Sequence, residues 1–495
     1  MRVPVPRAPW GGRGPLSRRH LAVLPGALVA IGLVTAIISS LGAQLVPTVA
    51  QVFAVPVGTA QWSLTVALLA GAVATPAMGR LGDGRRRRQV ILGCLGLTLT
   101  GGLLTATATQ LGQLLAGRAL QGVGLGLVPL VIAVAREHLP VARAGTTIAA
   151  LSVVTVTGVG LGYPVTGLIT DHFGLHAGFW FGAGMSAAAL VLAWLVVPSP
   201  AASARRRFDL LGTATLSCAL VLLLIGLGQG ERWGWSSAPV LGLLAGAAAV
   251  FPLWVLHQLR CPYPLVDLRL LRDRTVLTAD LATLLTGVGI YLLMSLVIRF
   301  VQTPTTTGYG FGASVVVAGL VLTPFSVGSV LGNRLTPALR GRIGAIRTIT
   351  VGTLVFLAAT ALLLVRRDQL WQPFAGMGLA GVSVGITFAA VLGLLVGAVP
   401  ATETGSATSF NQVLRSIGYS VGSAVSAVIL DAYTDRGRAL PTETGYTVGF
   451  AVGVGVCALA TVLSLVMPAR RGGRGTDPAP PRPEAAAAAV GRAGR

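Results

Sequence analysis

The chain has 495 residues, of which 53% are hydrophobic and 11% charged, and its mean hydropathy is +0.78. That balance excludes an ordinary soluble domain. The formal net charge of +22 raises the question of nucleic acid, and the placement of the arginines answers it.

A helix needs roughly 20 mostly apolar residues to cross ~30 Å of hydrocarbon. Fourteen apolar stretches predict spans at 21–45, 62–79, 89–108, 111–135, 147–169, 178–197, 210–228, 238–259, 276–301, 313–333, 346–365, 372–398, 405–430 and 446–467. A membrane β-barrel would instead show short alternating segments. The first stretch is too long for a cleaved signal and is read as a permanent span.

With a cytoplasmic N-terminus, 29 of the 37 arginines fall in the N-terminal segment, the even-numbered gaps and the tail. Six fall on the opposite side, and Arg118 and Arg415 lie within spans. This is the positive-inside pattern, met at every cytoplasmic gap except the short one after span twelve. It predicts a multi-pass protein of the plasma or inner membrane with both termini cytoplasmic. The charge then serves topology and contact with anionic lipid rather than nucleic acid. Trp62, Trp233, Trp235 and Trp371 fall at the predicted outer span ends, where aromatic rings suit the headgroup boundary.

The organisation in chain order is a cytoplasmic N-terminus (1–20), a six-helix bundle (21–197), a linker carrying two extra spans (198–275), a second six-helix bundle (276–467) and a tail (468–495). The linker opens on the polar, basic run Pro198–Asp209, and the tail is Pro, Gly, Ala and Arg without apolar period, which predicts disorder. Cys94, Cys218, Cys261 and Cys457 lie far apart with no Cys/His spacing, so neither a disulfide framework nor a metal site is expected. The five histidines are scattered in loops or at span ends, the absence of lysine removes any Walker-type GxxxxGK[ST], and no nucleophile elbow occurs. Catalytic residues are therefore expected to be none.

The strongest local motif is Gly79-Arg80-Leu81-Gly82-Asp83-Gly84-Arg85-Arg86-Arg87-Arg88, between spans two and three. Glycine permits a tight turn, and Asp83 can cap a helix or face the N-terminus of another. A solvated loop accounts for the arginines but not for Gly79, Leu81 and Asp83 together. The run resembles the signature G-x-L-x-D-[RK]-x-G-[RK]-[RK] of the major facilitator superfamily. Gly79, Leu81, Asp83, Arg87 and Arg88 match it, while Gly84 and Arg86 depart. The resemblance implies a latch between bundles on the cytoplasmic side, with Asp83 against the N-terminus of span thirteen and Glu403 close to one of Arg85 to Arg88.

Arg118-Ala119-Leu120-Gln121-Gly122-Val123-Gly124 in span four resembles the family's R-x-x-Q-G-x-G element. An arginine inside a span is costly and faces a cavity or a partner. Arg118 is read either as pinning helices through backbone carbonyls or as taking part in coupling. In span five, Gly158, Gly162 and Gly167 match the antiporter motif g-x-x-x-G-P-x-x-G-G, with Pro164 one residue late. Gln61-Trp62, Gln302-Thr303-Pro304 and Asn411-x-x-x-Arg415-x-x-Gly418-x-x-x-Gly422 resemble the fourteen-helix drug:proton antiporter branch.

The resemblance implies an all-α integral membrane protein of the major facilitator fold, two six-helix bundles plus two linking helices. It implies export of small organic molecules by alternating access, driven by protons, in a monomer without a cofactor. An uptake or facilitative carrier remains the alternative; a membrane enzyme or receptor would need a cluster the spans lack. Asn411 and Arg415 share one face of span thirteen, extended by Gln412 and Tyr419. This face, with Arg118 and Gln121, is expected to meet the central cavity or bundle interface. One departure stands out: Ile38 occupies the place of the branch's span-one aspartate. Asp280, Glu403 and Asp431 are the carboxylates closest to the membrane, none is expected to be central, and no proton carrier is identified.

Overall fold

The computed structural model describes residues 18–83, 86–198, 208–400, 403–434 and 440–466. The predicted tail and most of the linker run Pro198–Asp209 lie outside them. Among the described residues there are 14 long helices and no strand. They are α1 (Arg18–Val52), α2 (Trp62–Gly82), α3 (Arg87–Ala106), α4 (Leu111–His138), α5 (Val141–Phe173), α6 (Leu175–Val196) and α7 (Leu210–Trp233). There follow α8 (Ala238–Arg260), α9 (Arg274–Gln302), α10 (Thr323–Ile343), α11 (Ala345–Val365), α12 (Trp371–Ala398), α13 (Thr404–Ala432) and α14 (Glu443–Val466).

Helices satisfy their own backbone polar groups, which lipid cannot do. Eleven of these, all but α1, α5 and α10, are long and apolar enough within their described residues to cross a membrane. The expected span 313–333 is corrected: a short helix Val315–Leu320 ends first, and α10 then runs from Thr323 to Ile343. Pro324, tolerated at a helix start because its missing N–H is not needed there, marks the restart. Arg334, Arg340 and Arg342 consequently ride on α10 instead of lying in a loop. Within α4 the glycines at 122, 124 and 126 coincide with a tighter turn over Val123–Gly126.

The packing repeats. In the first half α1 packs on α5 and α6, α3 on α4 and α6, and α2 on α4. In the second half α9 packs on α13 and α14, α11 on α12 and α14, and α10 on α12. Each half encloses its own apolar core, one built around Leu28, Ile31 and Phe179, the other around Leu292, Phe356 and Phe450. The halves meet crosswise, α2 against α13 and α10 against α5. The extra pair α7–α8 is seated on this junction, with α7 against α2 and α13. Buried Trp254 of α8 stacks near Phe410 of α13 at 6.3 Å between ring centroids.

The α9–α13 contact is backbone-close. A Cβ at Gly418 would lie 2.5 Å from the Leu284 carbonyl oxygen, and one at Gly422 would lie closer still to that of Val288. Small residues four apart permit this approach where no apolar driving force exists between helices in lipid.

Candidate functional site

Three groups of polar side chains lie at or near the junction of the halves. The first is at the end of α2. Asp83, 4% exposed, accepts hydrogen bonds from the backbone N–H of Gly405 at 2.8 Å and of Ser406 at 2.9 Å, and from the Ser406 hydroxyl. Gly405 and Ser406 are in the first turn of α13, whose leading N–H groups have no partner within the helix. Glu403, the residue in the capping position, makes no side-chain cap bond, so Asp83 supplies the cap from the other half. The carboxylate also sits at the positive end of the α13 dipole. Burial pushes the Asp83 carboxyl up, opposed by the bonds from Ser406 and Gly405 and by the charge of Arg87. Gly79 makes the approach possible, since a Cβ there would lie 2.8 Å from the Gly405 carbonyl oxygen and run into Ser409.

The other signature residues do different work. Arg87 is buried and donates to the carbonyls of Gly82 and Ala133 and to the carboxylate of Glu137. It fastens the turn to α4 inside its own half. Arg88 donates to the Trp194 carbonyl at 2.7 Å, fastening α3 to α6. Leu81 is exposed. Gly84 and Arg85 lie outside the described residues. A second tie across the halves was not anticipated: Arg136 at the end of α4 donates to Thr404 Oγ1 at 2.6 Å and to the Val399 carbonyl at 2.8 Å. Its signal in the sequence is weak, one arginine among many at a helix end.

The second group lies inside the first half. Arg118, 1% exposed, donates through Nε to the Ser63 carbonyl at 3.1 Å and through Nη1 to Gln121 Oε1 at 2.7 Å. Its buried Nη2 has no partner among the described residues. Arg118 and Gln121 line a cavity with Thr35, Ile38, Leu64 and Thr98. Arg118 thus joins α4 to α2 through a backbone carbonyl, and Ile38 faces the same space.

The third group lies between the halves. Asn411, Gln412 and Arg415 of α13 line a cavity with Val128, Pro129 and Ile132 of α4, Ser152 of α5 and Phe388 of α12. Arg415 donates to Gln412 Oε1 and lies 5.0 Å from the centre of the Phe388 ring, a cation–π arrangement. Tyr419 faces α9 instead, its ring 4.4 Å from that of Tyr291. Asn411 donates from Nδ2 to Asp280 Oδ1 at 2.7 Å and to Thr283 Oγ1 at 3.0 Å. Asp280, one of the three carboxylates expected closest to the membrane, is 3% exposed. It is the seventh residue of α9 and is enclosed between α9 and α13. Nothing in a single sequence marks which face of α9 meets α13.

In span five, Gly158, Gly162 and Pro164 fall in helix α5, but their side-chain surroundings lie outside the described residues; Gly167 is half-buried. One unexpected group joins α7 to α8: ligand-type atoms of Asp209, His257 and Cys261 lie within 4.8 Å of one another. The Asp209 oxygens are already engaged, by Gly212 N at 2.7 Å, Gln258 Nε2 at 2.9 Å and His257 Nε2 at 3.0 Å. That network explains the group as a tie between two helices.

A family model described as Major Facilitator Superfamily matches residues 27–260 and 279–493. The chain is 31% identical over 386 residues to a probable actinorhodin transporter of Streptomyces coelicolor, covering 74% of this chain and 64% of that one. It is 30% identical over 395 residues to the multidrug resistance protein Stp of Mycobacterium tuberculosis, covering 78% of this chain and 72% of that one. It spans about half the length, 54%, of two further M. tuberculosis relatives that it matches. Among solved structures, the human organic anion transporter MFSD10 superposes with a TM-score of 0.63 at 17% identity, over 91% of this chain and 100% of that one. At that identity the likeness speaks for the fold alone.

Proposed function

We propose that this chain, which belongs to the major facilitator superfamily and is a membrane transporter rather than an enzyme, exports small organic molecules in exchange for protons. The observation that carries alternating access is Asp83 capping α13 from the opposite half. A contact that closes one side, and that must break for the site to open there, is what rocking of two bundles requires. Export is supported by relatives named for drug resistance and antibiotic transport and by the partial antiporter motif in α5.

In the arrangement we propose, all 14 long helices span the membrane, both termini are cytoplasmic, and the Asp83 contact closes the cytoplasmic side. One monomer forms the path, and the cavity between α4, α5, α12 and α13 receives the substrate.

Ile38 beside Arg118, where the branch usually places an acid, favours a second reading, a facilitative carrier without proton drive. Inverted vesicles separate the two. Uphill uptake of actinorhodin that collapses with the pH gradient supports proton-driven export; uptake that only equilibrates, with or without the gradient, supports the carrier.

A further inference from the structure

We infer that Asp280 is the proton-binding carboxyl of this transporter, standing in a different bundle from the acid that Ile38 replaces. The inference rests on the proton-driven reading above and names the group that would serve it. Asp280 lies within α9, and its flanking residues Ala279 and Ala282 pack in an apolar cluster with Ile349, Ala390 and Val391. Its hydrogen-bond partner is a neutral amide, Asn411 Nδ2.

The elements packed on α9 carry few titratable groups. These are Arg415, Tyr419 and Asp431 on α13, Arg347 on α11, Glu443, Tyr446 and Cys457 on α14, and Arg269 and Arg272 on the turn before α9. The short helix Val315–Leu320 and α12 carry none. No ion pair among the described residues joins any of them to Asp280. A buried carboxylate without a cation carries a large desolvation cost. An acid kept there without structural pairing calls for a role in which its charge comes and goes.

Position supplies the rest. Asn411 is at once the partner of Asp280 and part of the wall of the cavity between the halves, so Asp280 stands one hydrogen bond from that space. Water reaching the cavity delivers the proton, which adds to a carboxylate oxygen; reversal returns it to water on the other side. The acid form has an O–H donor where the carboxylate only accepted. Protonation at Oδ2 leaves Oδ1 accepting from Asn411 Nδ2 in a weaker, uncharged hydrogen bond, and protonation at Oδ1 makes the Asn411 amide turn its oxygen toward Asp280 or release it.

Either change acts on α13, the helix that carries the Asp83 contact at Gly405 and Ser406 and the cavity cation Arg415. Along an α-helix, residues 405 to 415 span about 15 Å. One element thus joins proton, cavity and latch.

The test uses the full chain, reconstituted in lipid. Infrared spectra recorded across pH should show a buried carboxyl C=O band in wild type that titrates and is missing from Asp280→Asn. A titrating band undiminished by the substitution overturns the assignment. In inverted vesicles with actinorhodin, Asp280→Asn should lose gradient-driven accumulation by about tenfold or more, and downhill exchange should suffer less.

If wild type is gradient-driven and Asp280→Asn equally so, Asp280 is not the carrier. If wild type ignores the gradient, the proton-driven reading falls, and the infrared result still decides whether Asp280 binds a proton. Should Asp280→Asn fail to fold, Asp280→Glu serves: a displaced pH profile of transport supports the inference, and an unmoved one refutes it.

Discussion

Asp83 caps a helix that belongs to the other half of the molecule. Two backbone donors and one hydroxyl converge on it, and a hydrogen bond to a charged group contributes about 1.5–3 kcal/mol. Separating α2 from α13 leaves that carboxylate and the first turn of α13 to water or to nothing. Asp83→Asn keeps the shape but gives up the charge and one acceptor oxygen. We expect it to reach the membrane at near wild-type abundance and to transport at a clearly lower rate, because the closed side no longer holds. Flux measured per inserted molecule checks this; normal flux in the variant removes the latch from the mechanism. Gly79 and Asp83 were legible in the sequence because a loop motif fixes both. The destination of Arg87 was not, because a guanidinium reaches several carbonyls and only the folded chain shows that Glu137 is beside it.

Apolar runs made most helices legible, since length and composition decide what lipid accepts. They failed at α10, where a proline restart and three arginines follow a run that looked continuous, and they were silent on helix rotation. Rotation is what buries Asp280 and turns Asn411 to the cavity. A cysteine replacing Asn411 is expected to react with an aqueous reagent in the membrane; labelling by a lipid-phase reagent alone contradicts the cavity placement.

The α7–α8 pair offers a pH test at the same scale. Burial pushes the Asp209 carboxyl up, but the bonds from His257, Gly212 and Gln258 prevail and hold it below the usual carboxylate value. Because the folded pKa lies below the unfolded one, about 3.9, this stabilisation is complete at neutral pH and is lost as pH falls through the folded value. Asp209→Asn should therefore lower the Tm at about pH 7, where a carboxylate network of this kind contributes about 1–3 kcal/mol. The gap should close in strong acid. Equal Tm values at neutral pH count against the tie.

At the scale of the whole molecule, the crossed contacts α2–α13 and α5–α10 mean that each half grips the other through corresponding helices, and the cavity they enclose bears a cation. Arg415 lines that space, whereas Asp280 stays behind Asn411 and is not part of its wall. Arg118, deeper in the first half, has no carboxylate within ion-pair reach among the described residues. A desolvated cationic substrate about 6–8 Å from an uncompensated guanidinium meets a repulsion of roughly 2–3 kcal/mol at an effective dielectric of ~20. That corresponds to about a 30- to 100-fold loss in affinity. The cation–π contact of Arg415 with Phe388 spreads the charge of the guanidinium without neutralising it. Neutral or anionic amphiphiles are accordingly expected to be preferred over quaternary ammonium compounds. Cells expressing the protein should gain more resistance to a neutral or acidic aromatic compound than to ethidium, and Arg415→Gln should narrow the difference. Strong protection against ethidium alone would show that the arginine does not set the sign of the cavity.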